Sequence, residues 1–361
     1  MFNFTHNNYI KFGWNDGIFN RRETKEDKCW VKFGKCTKRP KDFRSECIRA
    51  ARLIYESTDK KILIHLSGGI DSEIICRSFL GAKLPFDVCI WEFDHGHNKH
   101  DITYAIDFCK RYDIKPNFLK INLQEHIFNN QYPQYKYHIP LWSLNMRKYA
   151  IEKMYGYQLM GDGHLNFIYD PISVNSSMKN KYLFPMPFYV KYYKTTKQLE
   201  EKTYVLFSEA KHMSNLSFME DHDKQGCDNF FMYTPELVLS YLKDNLAIDW
   251  FTYCDMKNLS NDRKYPILKK KPRIPIWVSK EEYIESVNSR TLSNLKHHIQ
   301  YEHWPEMEIR PKYTGADLFA VILIEDHLEY LSKKYPYDSP GNEMIFITAY
   351  DFLKSLELKG V

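Results

Sequence analysis

The chain has 361 residues and 43.3 kDa, with 43% hydrophobic and 27% charged residues, the balance of a globular protein with enough length for two or three packed units. No run approaches the ~20 apolar residues of a transmembrane helix, and Met1-Phe2-Asn3-Phe4-Thr5-His6 lacks a charged and then apolar leader, so no membrane partner and a cytoplasmic location are expected. The net charge is only +5, but residues 1–60 hold fourteen Lys/Arg against eight Asp/Glu; this basic stretch reads first as a solvated surface and second as a contact for tRNA or another nucleic acid.

Residues 1–40 are aromatic and basic, punctuated by Gly13, Gly17 and Gly34, and predict small strands and turns closed by Pro40. Cys29 and Cys36 flank Trp30-Val31-Lys32-Phe33-Gly34-Lys35, a segment open to a hairpin or to half of a metal site. The eight cysteines, at 29, 36, 47, 76, 89, 109, 227 and 254, include no Cys-x-x-Cys pair and point to reduced thiols; Cys76, Cys89 and Cys109 read as small core residues. From Lys41 to Ser57, Phe43, Cys47, Ile48, Ala51, Leu53 and Ile54 recur at helical spacing.

Ile62, Leu63, Ile64 and Leu66 then make a short apolar run suited to a buried parallel strand, which His65 and Leu66 end. Ser67-Gly68-Gly69-Ile70-Asp71-Ser72 follows. Its glycines can adopt φ > 0 and let an anion approach the main chain, and Ser67 and Ser72 add hydroxyl donors. Helical spacing from Ser72 to Leu80, with Ile74, Ile75, Ser78 and Phe79 inward, aims a helix N-terminus at the same anion. A carboxylate there, Asp71, makes sense beside phosphate with Mg²⁺ between them.

Phe86 to Phe93 predicts a second strand ending in Phe93-Asp94-His95-Gly96-His97, Asp101 to Tyr112 a helix, and Asn117 to Leu123 a third strand. His95, His97 and His100 invite a metal reading, but without close carboxylate geometry they favour a solvent-facing loop. Leu141 to Tyr155 predicts another helix and Tyr157 to Met160 a short strand ending at Gly161-Asp162-Gly163-His164. This alternation over residues 41–170 predicts an α/β, doubly wound parallel sheet with ligands at the carboxyl ends of its strands. Residues 171–361 are expected to cover the site and to be mostly helical. Thr234 is a candidate N-cap before Pro235 in a helix reaching Asp244, and residues 280–300 and 316–334 have helical patterns.

The Ser67–Ser72 turn resembles the pyrophosphate loop of the PP-loop ATP pyrophosphatases, the adenine nucleotide alpha hydrolase-like group that includes asparagine synthetase, tRNA-Ile lysidine synthetase and the tRNA thiolases. It is unlike a Walker A loop, since no Gly-Lys-Ser/Thr follows a four-residue spacer. The resemblance implies a HUP-like fold and ATP with Mg²⁺ as cofactors. ATP would be cleaved between its α- and β-phosphates: an acceptor oxygen is adenylated, pyrophosphate leaves, and a nucleophile displaces AMP. Ser67, Gly68, Gly69 and Ser72, with Ile70 between them, would hold the pyrophosphate; His65, Leu66 and Phe93 would lie near the base or ribose.

The same resemblance makes Asp71, with Asp162, the Mg²⁺ ligands. Gly161-Asp162-Gly163 is similar to the Gly-Asp-Gly turn of asparagine synthetase-like enzymes, in which an acidic residue follows near the metal. Leu165 and Asn166 stand there here, so either Asp162 takes that role or the second contact is absent. Charge building on the leaving pyrophosphate calls for cations, for which Lys312 and Arg310 are favoured over the Lys269–Arg273 cluster by their Trp304, Pro311 and Tyr313 neighbours.

Glutamine-dependent asparagine synthetases need an N-terminal cysteine nucleophile; residue 2 is Phe, so ammonia is expected from solution or a partner. The function expected is an AMP-forming ligase that activates a small-molecule acceptor (a carboxylate, amide or nucleobase carbonyl) for a nitrogen nucleophile. The alternatives are a tRNA- or nucleotide-modifying PP-loop enzyme, of which stand-alone forms occur in bacteriophages, and a non-catalytic nucleotide-binding protein.

Overall fold

The computed structural model describes residues 10–14, 29–96, 98–122, 126, 142–161, 166–169, 203–207, 215–216, 218–247, 303–307 and 345–348. In the basic N-terminal stretch, β1 (Ile10–Trp14) pairs antiparallel with β2 (Cys29–Phe33), Ile10 opposite Phe33 and Trp14 opposite Cys29. The segment after Cys29 is thus one strand of a pair closed through the 15–28 connection, rather than a hairpin in itself. Helix α1 (Phe43–Glu56) begins where Asp42 accepts a hydrogen bond from the Ser45 backbone N–H at 2.9 Å, the N-cap arrangement. Its buried stripe is Phe43, Cys47, Ala50, Ala51 and Ile54.

Strand β3 (Ile62–His65) is buried throughout and lies at the centre of a five-stranded parallel sheet. Helix α2 (Ile70–Ala82) carries the chain to β4 (Asp87–Phe93), and α3 (Lys99–Arg111) to the edge strand β5 (Asn117–Ile121). Helix α4 (Trp142–Lys153) then leads back to β6 (Tyr157–Leu159), which pairs with β3 on its other side. The fifth strand, β9 (Gln225–Cys227), pairs with β6 and comes from well beyond the 41–170 segment. The resulting order β5-β4-β3-β6-β9 reverses direction once, between β3 and β6.

Alternation along β3 divides the core between the two faces of this sheet. Ile62, Ile64 and Leu66 join residues of α1, α2, α3 and α5 (Pro235–Ala247) in the larger cluster. The second cluster is Ile151 of α4 with Met160, Phe218 and Met219, against which Trp91 and Tyr149 pack. Helices therefore flank both faces, and the α/β expectation holds at this level. Helix α5 starts at Pro235, with Thr234 Oγ1 accepting from the Leu237 N–H at 3.1 Å, as its cap predicts.

The residues beyond 170 are not simply helical, since they supply two strands of another sheet that begins just before them. Strands β7 (Asn166–Tyr169), β8 (Thr203–Phe207) and β10 (Ile345–Thr348) form an antiparallel sheet in the order β10-β8-β7. The helical patterns at 280–300 and 316–334 lie outside the described residues. Residues 303–307 return to the main core, where Trp304 (1% exposed) and Met307 pack with α1 and α2. Arg44 lies over the Trp304 ring at 4.3 Å and pairs with Glu306 at 2.9 Å.

Candidate functional site

The strand order reverses between β3 and β6, and open parallel sheets bind ligands at the carboxyl ends of the strands at such a point. Leu66, buried on the α2 face, extends the pairing of β3 by donating its N–H to Cys89 O at 2.9 Å. The chain then turns through Ser67 to Gly69 and enters α2 at Ile70, two residues earlier than its apolar spacing indicated.

The turn is closed by its own hydrogen bonds. Ser72 Oγ accepts from the Ser67 N–H at 3.1 Å and donates to Gly69 O at 3.0 Å. Ser67 Oγ lies 3.1 Å from Ser72 Oγ and accepts from the Gly69 N–H at 3.2 Å. Ser72 is buried and Ser67 exposed, so the open side of the turn is the Ser67 side.

The two glycines answer different needs. Gly68 has φ +91°, and a Cβ on it would drive into the Asp101 carbonyl at the start of α3. Gly69 is extended (φ −74°), and among the described residues a Cβ there would meet only Ser67 Oγ at 3.4 Å. Neither its backbone nor its packing against the described residues asks for glycine, which leaves clearance from them beside the N-terminus of α2, where none of their side chains caps the helix.

Gly161, just past β6, backs directly onto α2: a Cβ there would lie 3.5 Å from the Asp71 carbonyl carbon and Ser72 N, and 3.0 Å from Ile75 Cδ1. The Gly-Gly turn and Gly161 are thus brought together. Asp71 is half-buried in the first turn of α2, whereas the neighbouring Glu73 points inward to Arg77 Nε at 2.6 Å. Asp162, Arg310 and Lys312 lie outside the described residues, as do His97 and the side chains of His95 and His100. Among the described residues no group of three or more His, Cys, Asp or Glu is gathered as a metal cage.

His65 ends β3 with its ring on the α4 face. Trp91 Nε1–H donates to His65 Nδ1 at 2.9 Å, which leaves Nε2–H to donate to Gln158 Oε1 at 2.9 Å. Burial, opposed in part by the Gln158 bond and helped by nearby Arg147, pulls this imidazole down to about 4, so the ring is neutral near pH 7. Phe93 ends β4 in the core, and its N–H donates to Asn98 Oδ1 at 2.9 Å while Asn98 Nδ2 donates to Trp91 O at 2.8 Å. Asn98 thereby fixes the turn at Asp94–Gly96.

Trp91, Asn98, Asp101 and Gln158 were not among the residues expected from the sequence. Gln158 left one signal, a polar side chain inside the apolar run Tyr157–Met160. Further along the same edge, Asp228 follows β9, accepts from Asn215 Nδ2 at 2.5 Å, and lies 3.9 Å from Arg147 of α4. Burial lowers the Lys148 ammonium beside it in sequence to about 7.

Burial disfavours the thiolate at five of the described cysteines. Cys36, Cys47, Cys76, Cys89, Cys109 and Cys227 are all buried. Burial raises the thiols of Cys47, Cys76 and Cys227 well above the usual value, Cys89 to about 12 and Cys109 to about 11.

Fold and site together define an α/β protein with a five-stranded parallel sheet, flanked by helices, whose strand order reverses beside a Gly-Gly turn. No family model matches the chain, and no curated protein matches it significantly. No described helix is long and apolar enough to cross a membrane.

Proposed function

We propose that the chain is an ATP-dependent, AMP-forming enzyme of the PP-loop type. The observation that carries this reading is the Ser67–Ser72 turn at the reversal of strand order, with clearance at Gly69 and, beside it, an α2 N-terminus that no described side chain caps. A phosphate oxygen arriving on the Ser67 side would compete for the Gly69 N–H and the Ser67 hydroxyl, which the turn otherwise uses to close itself. Mg²⁺ brought with a nucleotide needs only one or two protein carboxylates, its other ligands being phosphate oxygens and water. Asp71, at the start of α2, is the described carboxylate that suits it.

In this reading an acceptor oxygen attacks the α-phosphorus, the bond to the bridging α-β oxygen breaks, and pyrophosphate leaves with that electron pair. A nitrogen nucleophile then attacks the adenylated carbonyl and expels AMP. A tRNA thiolase, which needs an accessible thiol, is disfavoured by the burial of the six described thiols. Incubation with ATP and Mg²⁺, alone and with pooled amino acids, ammonia or tRNA, tests the reading. AMP and pyrophosphate, lost in Asp71→Ala, are expected, and the stimulating pool identifies the acceptor. ADP in place of AMP overturns the mechanism, and ATP binding without turnover in every pool leaves a nucleotide-binding protein.

A further inference from the structure

The last residue of β3 carries a polar side chain where an apolar one would pack, and its two partners come from the strands on either side. Trp91 of β4 donates to His65, His65 donates to Gln158 of β6, and Gln158 Nε2 donates to Ile151 O at 2.9 Å and Met154 O at 3.1 Å. Those carbonyls belong to the end of α4, where helical carbonyls lack partners within the helix. Every donor in the chain has an acceptor in one direction only, so the imidazole tautomer and the Gln158 amide orientation are both determined. Three largely buried polar side chains do little for stability that well-packed apolar ones would not, but they fix orientation.

Their location gives that orientation a use. The chain spans β4, β3 and β6, thus linking the two paired strands between which the strand order reverses. It also holds the end of β3 from the α4 face while Leu66 is held in the core on the α2 face, directly before the turn begins at Ser67. We propose that Trp91, His65 and Gln158 form a positioning unit that sets the spacing and angle of the β3 and β6 ends against which a bound nucleotide rests. The inference depends on the ATP reading above. It assigns no proton transfer to His65, whose two ring nitrogens are both engaged.

The test compares the dissociation constant for ATP with Mg²⁺ and the KM and kcat for AMP formation in the full-length wild type, His65→Phe and Ile54→Val. Ile54 is a buried residue of α1 outside the site, so its variant reports general destabilisation. The expected result for His65→Phe is a dissociation constant and KM raised about tenfold with kcat within about twofold, the pattern of lost uniform binding. Ile54→Val should bind as the wild type does, and His65→Asn, which retains an acceptor for Trp91, should recover part of the loss. Should His65→Phe not fold, Trp91→Phe removes only the indole donor and carries the same comparison.

Nucleotide binding by the His65 variant equal to that of Ile54→Val would show that the chain only packs the sheet, and the inference would fail while the ATP reading stood. A wild type that binds no ATP overturns both.

Discussion

Gly68 and Gly69 are neighbours whose replacement by alanine should separate folding from binding. At Gly68 an L-residue would be strained by about 1–2 kcal/mol from its positive φ alone, before the collision with the Asp101 carbonyl. Gly68→Ala is therefore expected to lower the thermal midpoint measurably. Gly69→Ala should leave the midpoint unchanged or raise it slightly, since its extended backbone suits alanine, yet weaken ATP binding about tenfold by filling the clearance. Wild-type affinity in Gly69→Ala would remove the anion role of that clearance.

His65 supplies a pH dependence of defined sign. Its value is lowered from 6.5 to about 4 in the folded chain, so between these limits the unfolded chain binds more protons and stability falls as the solution is acidified. The full stabilisation is present above pH 6.5, and about 3 kcal/mol is withdrawn on approach to pH 4. Urea unfolding at pH 7 and pH 4.5 should show this slope, and His65→Phe should flatten it. The turn itself was legible because its signal is local: apolar strand, two glycines, Asp and Ser within a few residues. The ring's partners were not, because Trp91 and Gln158 stand in different strands and meet His65 only when β4, β3 and β6 pair.

Elements with a strong apolar period were legible for the same reason. Strand β3, helix α1 and helix α5 announce themselves by apolar pattern or cap, and the structure departs from them by one to three residues at their ends. Strand β9 has three residues, Gln225-Gly226-Cys227, too few for a period; pairing with β6 makes it a strand. Residues 303–307 likewise have no pattern of their own. Their place is set by Trp304, which is packed under the Arg44 guanidinium and whose Nε1–H has no acceptor among the described residues. Trp304→Ala should cost about 3–5 kcal/mol. Trp304→Phe should cost much less, because it removes a buried donor that makes no hydrogen bond among the described residues. Chemical denaturation of the two variants checks the contrast, and equal losses would mean that the ring's volume is not what anchors the segment.

For the molecule as a whole, the apolar core is not contained in the stretch that carries the nucleotide motif. Cys227, Phe230, Phe231, Leu237, Trp304 and Met307 belong to the same cluster as Ile62, Ile64 and Ile75. A fragment of residues 41–170 is accordingly expected to lack cooperative unfolding by circular dichroism, and a sharp transition in that fragment would show that the later residues are accessory. Strand β3 sits mid-sheet, but the strand that completes its far side lies at residues 225–227 and the core is sealed only at 303–307. During translation, β3 therefore emerges long before the chain that must cover its sheet. The ribosome delivers a half-built sheet with an open apolar side, and consolidation waits until nearly the whole polypeptide has left the exit tunnel. In that interval the uncovered apolar side of the sheet is the surface open to chaperones or to self-association.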